Sequence, residues 1–74
     1  MVEAVYQAVA ARVRMIREAL GLTQDELAKR VKGLERASIV NFETGRQRIP
    51  MHKIEAVAEA LGTTPKNLLK GIWW

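Results

Sequence analysis

The sequence predicts an all-α domain made of five helices. Apolar residues recur at intervals of three and four along most of the 74-residue chain, which is the spacing of one buried helix face. No segment alternates apolar and polar residues for long enough to indicate a β-strand. Glycine or proline stands where the periodic stretches stop or start, so we expect tight turns between the helices.

The first helix is predicted to run from the N-terminal residues to Gly21. Its apolar face consists of Val2, Val5, Tyr6, Val9, Val13, Ile16 and Leu20. Thr23 then begins a second, shorter helix, because Glu26 stands three residues further on, in the pattern of a capping box. The buried side of this helix consists of Leu27, Ala28 and Val31. It is expected to end near Lys32 and Gly33.

The third helix is predicted from about Glu35 to Thr44. Gly45 follows in the position where a left-handed residue commonly closes a helix. The apolar residues of this helix, Ile39 and Phe42, lie three positions apart and are expected to face the core.

Proline marks the start of each of the last two helices. Pro50 fits the first turn of the fourth helix, which is expected to continue until Gly62. Its apolar face includes Ile54, Val57, Ala58 and Leu61. Thr64 and Pro65 begin the fifth helix, which carries Leu68 and Leu69.

Length and composition limit what this domain is able to do. A chain of 74 residues supports one core, so residues 1–74 are expected to form a single domain. With no cysteine and one histidine, we expect no disulfide, no metal site and no cofactor. No apolar run approaches the ~20 residues of a membrane span, which predicts a cytoplasmic protein without membrane contact. The only serine, Ser38, lacks a neighbouring base at helical spacing, and we expect no enzymatic activity.

The chain is basic, with a formal net charge of +4 and an isoelectric point near 10.0. More than this excess lies between positions 29 and 53, where the only acidic residues are Glu35 and Glu43. The basic residues of that segment are Lys29, Arg30, Lys32, Arg36, Arg46, Arg48 and Lys53. Such a cluster fits either an ordinary solvated surface or a surface that binds a polyanion, and the charge alone leaves both open.

The outward side of the third helix has an unusual composition for a solvated face. With Ile39 and Phe42 pointing inward, the residues that share the outward arc are Arg36, Ala37, Val40, Asn41 and Thr44. Arginine is able to fork onto guanine and asparagine onto adenine, while valine or alanine is able to contact a thymine methyl group. These residue types therefore favour a helix that reads base edges in the major groove.

Several short motifs stand together along the chain. They are the segment from Arg14 to Glu18, the run Gly-Leu-Thr-Gln-Asp-Glu-Leu-Ala at 21–28, Ile39 with Asn41, Glu43 and Gly45, the run 46–48, and the run 60–62. In these motifs residues 12–69 resemble the Cro/CI (Xre) family of helix-turn-helix DNA-binding domains. The resemblance implies a five-helix, lambda-repressor-like fold in which residues 23–45 form the helix-turn-helix. It also implies a homodimeric transcriptional repressor that binds a palindromic operator in double-stranded DNA, with its third helix in the major groove.

The resemblance further implies roles for individual residues. The base-reading positions would be Arg36, Ala37, Val40 and Asn41. The phosphate-binding positions would be Thr23, Gln24, Lys32, Thr44, Arg46 and Arg48. An ion pair is implied between Arg17 and Glu43. The chain departs from the family in two places: the spacing from Val31 to Ile39 is one residue longer, and Glu35 stands where a Ser or Thr cap is common.

The C-terminal segment, residues 65–74, is the expected dimerisation segment. Two adjacent tryptophans left in water would expose a large apolar area on so small a domain, so they should pack on the body or on another chain. Dimerisation through the fifth helix, which the resemblance implies, favours a second chain and an interface of Leu69, Ile72, Trp73 and Trp74. A protein-interaction module on the same fold, such as an antitoxin or a transcription adaptor, is the alternative function.

Overall fold

The computed structural model describes residues 2–72, without the side chains at positions 2, 3 and 51. Its helices are α1 (Val2–Ala19), α2 (Gln24–Arg30), α3 (Arg36–Glu43), α4 (Met51–Ala60) and α5 (Pro65–Leu69). Throughout residues 2–72 the structure contains no β-strand. The predicted all-α fold with five helices is therefore confirmed, and the helix ends differ from the predicted ones by only a few residues. Nowhere in this range is a helix both long enough and apolar enough to cross a membrane.

The core takes at least one fully buried side chain from every helix. These side chains, in chain order, are Val13, Leu27, Phe42, Val57 and Leu68. Ile49, in the segment between α3 and α4, is buried among them. Because each of these residues belongs to a three-and-four pattern or stands next to a helix, the core follows the periodicity of the sequence.

Leu20 departs from its predicted place in the buried face of the first helix. It is 54% exposed, because α1 ends at Ala19 and the chain turns there. Gly21 adopts a left-handed backbone with φ of 72°, which reverses the chain direction. Leu22, on the other side of that glycine, is the residue that enters the core.

The C-terminal helix docks against α1 through an arginine. The Nη1 of Arg12 donates hydrogen bonds to the carbonyls of Asn67 and Leu68 at 3.3 Å, and to that of Lys70. The first two carbonyls belong to the end of α5 and the third to its C-cap residue, where backbone acceptors have no intrahelical partner. Leu69 and Ile72 are half-buried and pack against the core of their own chain. Trp73 and Trp74 lie outside the described residues.

Candidate nucleic-acid interface

The start of α2 is fixed by its own side chains. The Thr23 hydroxyl accepts a hydrogen bond from the backbone N–H of Glu26 at 3.0 Å, and the Thr23 N–H donates to Glu26 Oε1 at 2.9 Å. This is the capping box that the sequence predicts. The backbone N–H of Thr23, and then the Thr23 side chain, lower the pKa of Glu26, because both groups favour the ionised carboxylate.

The turn between α2 and α3 is held from α4. The Nζ of Lys53 donates to the carbonyl of Lys32 at 3.2 Å. The next residue, Gly33, has a φ of 85°, in the left-handed region that favours glycine. Helix α3 then begins at Arg36, and Glu35 occupies the N-cap position without a side-chain hydrogen bond to the helix. The glycine conformation and the lysine contact thus both act on the turn that leads into α3.

Helix α3 buries one face and presents the other. Ile39 and Phe42 are fully buried, as their spacing predicts. On the other side Arg36 and Ala37 are exposed, while Val40 and Asn41 are half-buried. Within the described part of the chain, no hydrogen bond or ion pair engages the side chains of Arg36 and Asn41. The outward arc thus carries donors and acceptors that are open to a ligand.

A buried polar network joins α3 to the two helices before it. Arg17 pairs with Glu43 through two bonds, Nε to Oε2 at 2.7 Å and Nη2 to Oε1 at 2.9 Å. Its Nη1 also donates to the carbonyl of Leu22 at 2.7 Å, and Gln24 Nε2 donates to Glu43 Oε1 at 3.1 Å. The side chains of Arg17 and Glu43 are 9% and 1% exposed. The hydrogen bonds that Arg17 donates to Glu43 are the main cause that raises the pKa of Arg17.

The segment after α3 carries three residues for which the family resemblance implies phosphate contacts. The Thr44 hydroxyl donates back to the carbonyl of Val40 at 2.9 Å, so its single proton is already used within the chain. The side chain of Arg46 is exposed and makes no hydrogen bond or ion pair within residues 2–72. Arg48 lies with its guanidinium carbon 5.1 Å from the centre of the Tyr6 ring.

An open groove of ≈ 460 Å³ runs beside this network, where α1, the start of α2 and the end of α3 meet. We call it the three-helix groove, and its lining residues are Arg14, Arg17, Thr23, Gln24, Glu43 and Thr44. Three of the six positions assigned to phosphate contacts therefore share one surface depression. Lys32, Arg46 and Arg48 do not line it.

Sequence reasoning missed two residues at this surface, Arg14 in the groove and Tyr6 against Arg48. The spacing of Arg14 and Arg17, three residues apart on a helix, was a signal that both face the same side. No local pattern links Tyr6 to a residue 42 positions later, and only the fold brings the two together.

Comparison with known proteins defines the class of this chain. Residues 8–69 match the family model described as helix-turn-helix domain, and the chain belongs to that family. Its fold and motifs are those of Cro/CI-type helix-turn-helix regulators, DNA-binding proteins that regulate transcription, as the sequence resemblance implied. No curated protein matches the chain.

Three solved structures illustrate the likeness. The restriction-modification controller protein C.AhdI from Aeromonas hydrophila is 32% identical with a TM-score of 0.80, over 89% of this chain and 94% of C.AhdI. The P22 c2 repressor, solved in complex with a synthetic operator, is 31% identical with a TM-score of 0.77, over 88% and 97%. The clp gene regulator ClgR from Corynebacterium glutamicum is 26% identical with a TM-score of 0.82, over 88% and 68%. The lambda-repressor-like architecture is thereby confirmed.

Proposed function

We propose that this protein is a transcriptional repressor that binds a palindromic DNA operator as a homodimer and has no enzymatic activity. The proposal depends on the division of α3 into a buried face and an outward arc. The buried face has Ile39 and Phe42, and the outward arc has Arg36, Ala37, Val40 and Asn41. Such a division lets a short helix enter the major groove without losing its packing on the domain.

The outward arc would read the operator. Arg36 is suited to guanine and Asn41 to adenine, because each presents paired groups that match a base edge. Ala37 and Val40 would contact thymine methyl groups. Glu35, directly before the arc, would face away from phosphates or accept a hydrogen bond from cytosine N4.

The remaining assigned residues would set the register of the protein through the DNA backbone. Gln24 suits this role because its amide group has a second N–H besides the one that binds Glu43. Arg46 and Lys32 are exposed cations on either side of α3, and Arg48 follows in the same loop as Arg46. Thr23 and Thr44 line the three-helix groove, although the Thr44 hydroxyl would have to release a carbonyl before it could donate to a phosphate.

The homodimer is proposed because one short helix contacts only a few base pairs, and a two-fold axis doubles that reading. The two copies of α3 would then lie about 34 Å apart, one turn of DNA. Leu69 and Ile72 keep an exposed portion beside their contacts with the core, and Trp73 and Trp74 follow them in the chain. Sedimentation of the full chain beside a chain ending at Gly71 tests this interface, since an unchanged dimer would place it elsewhere.

The test of sequence reading compares two substitutions on selected and scrambled duplexes. Asn41→Ala should cost ~1–3 kcal/mol on the selected operator and little on the scrambled duplex, because a base contact is lost. Arg46→Ala should weaken both duplexes alike and lower the salt dependence, because a phosphate contact is lost. Equal effects of Asn41→Ala on the two duplexes would overturn the assignment of base reading to the outward arc.

A further inference from the structure

One charged residue in the lining of the three-helix groove, Arg14, is not among the residues proposed to contact phosphates. Thr23, Gln24 and Thr44 in its lining are assigned to phosphates, whereas Arg14 is not. Arg14 lies about one helical turn before Arg17 on α1, and both residues line the groove. It therefore faces the same depression as three residues that the proposed function directs at the DNA backbone.

The net charge of the residues that line the groove comes from Arg14. Arg17 and Glu43 neutralise each other through their two short bonds, and both side chains are nearly buried. The remaining lining residues besides Arg14 are threonines and a glutamine, which carry no charge. The guanidinium of Arg14 is thus the charge in the groove lining that no other lining residue neutralises.

The ion pair that holds the Arg14 side chain is weak. Its side chain is 59% exposed, and its ion pair within the described residues is with Glu18, at 3.5 Å from Nε to Oε2. Glu18 is itself 55% exposed and four residues away on the same helix. Pairs of this kind contribute little to stability because water screens both charges and two long side chains must be ordered. A stronger anion in the groove would therefore displace Glu18 from Arg14.

We propose that Arg14 binds a phosphate of the DNA backbone in the three-helix groove, and that Glu18 competes with that phosphate for the guanidinium. This inference rests on the proposed function, since it names a further contact of the same DNA complex. Arginine suits the role because its planar fork binds phosphate oxygens through two parallel N–H bonds. The contact adds affinity without sequence preference.

The first experiment measures DNA affinity between 50 and 200 mM salt for wild type, Arg14→Gln and Lys29→Gln. Each ionic phosphate contact contributes about 0.9 to the slope of log affinity against log salt, so wild type should lose roughly threefold to fourfold more affinity over this range than Arg14→Gln. Lys29, an exposed cation of α2 that pairs with Asp25 four residues away and does not line the groove, is the matched control and should leave the slope at the wild-type value. Arg14→Lys should largely restore the slope, because the positive charge is retained.

The second experiment tests the competition by Glu18. Glu18→Gln should raise affinity in the wild-type background, because Arg14 is released, and should give no gain in the Arg14→Gln background. An equal gain in both backgrounds would overturn the competition. An Arg14→Gln slope equal to that of Lys29→Gln would overturn the phosphate contact while the proposed function stands. A wild-type chain that binds neither selected nor scrambled DNA would instead overturn the proposed function.

Discussion

Helices α2 and α3 are consecutive and of nearly equal length, yet they are stabilised in different ways. Helix α2 begins with a complete capping box and has acidic residues in its first turn and basic residues in its last. Helix α3 has no side-chain cap, no acidic residue in its first turn and no basic residue in its last. Local signals therefore specify α2, whereas α3 depends on contacts with other parts of the chain.

Those contacts lie on the inward side of α3 and leave its outward side unconstrained. Ile39 and Phe42 are packed in the core, and Glu43 is bound by Arg17 and Gln24. Because the helix is fixed from one side and at its C-terminal end, residues on the opposite arc contribute little to stability. Folding therefore places few requirements on the residue types of the outward arc, which leaves them available for the proposed reading of DNA.

The largest expected effect comes from removing the buried cation that fixes the end of α3. Arg17→Met leaves Glu43 buried with Gln24 as its remaining partner, and we expect a loss of ~3–5 kcal/mol in the free energy of unfolding. Urea unfolding of the purified variant measures this loss. The control is Arg17→Met combined with Glu43→Leu, which removes both charges and should recover much of the stability. A loss below about 1 kcal/mol in the single variant would mean that the pair does not anchor α3.

The same contrast explains which parts of the structure the sequence could predict. The capping box at Thr23 follows from a spacing of three residues, and the buried positions Ile39 and Phe42 follow from helical periodicity. The pair of Arg17 and Glu43 spans 26 residues, and only the family resemblance indicated it.

Other contacts had no local signal at all. Lys53 reaches the carbonyl of Lys32 across 21 positions, and Arg48 lies over Tyr6. Periodicity says which side of a helix is buried, but it does not say which surface residues of different helices become neighbours. The predicted burial of Leu20 was wrong for a related reason, because the helix ended one residue earlier than the apolar pattern. The DNA roles of the candidate site stay predictions.

The turn between the two helices gives the next largest effect. Gly33→Ala should cost ~1–2 kcal/mol, because a side chain strains a backbone with φ of 85°. The new Cβ would also lie 2.3 Å from Nζ of Lys53 and would push that flexible side chain off the Lys32 carbonyl. Gly21→Ala is the matched control, since Gly21 has φ of 72° with open space around it. Thermal unfolding compares the two, and a loss at Gly33 smaller than at Gly21 would contradict a tethered turn.

Removing the N-cap side chain of α2 should reduce the stability of the domain by a smaller amount. Thr23→Ala deletes the hydroxyl that accepts the Glu26 N–H, and we expect a loss of ~1 kcal/mol in the free energy of unfolding. Thr23→Ser keeps the hydroxyl and should stay close to wild type. If serine and alanine at this position were equally destabilising, the threonine methyl group rather than the cap would be responsible.

The converse experiment supplies α3 with the cap that it lacks. Glu35 has φ of −107° and ψ of 164°, an extended conformation that suits an N-cap residue. Glu35→Thr should therefore stabilise the domain by about 0.5–1 kcal/mol in chemical unfolding, and Glu35→Ala should not. Equal stability of the two variants would show that the start of α3 is not limited by capping.

The capping box also predicts how the stability of α2 depends on pH. The bonds from Thr23 lower the pKa of Glu26 in the folded chain below its unfolded value of about 4.3. A depressed folded pKa contributes stability that is present above the unfolded pKa and is lost as pH falls through the folded pKa. The stability gap between wild type and Glu26→Gln, which has no titrating group at this position, should accordingly be largest near neutral pH and should narrow below about pH 4. Unfolding free energies measured from pH 6 to pH 2 test this, with Thr23→Ser as the control that should follow wild type. A gap that widened on acidification would contradict the assigned direction, because it would mean that protonated Glu26 makes the stronger cap.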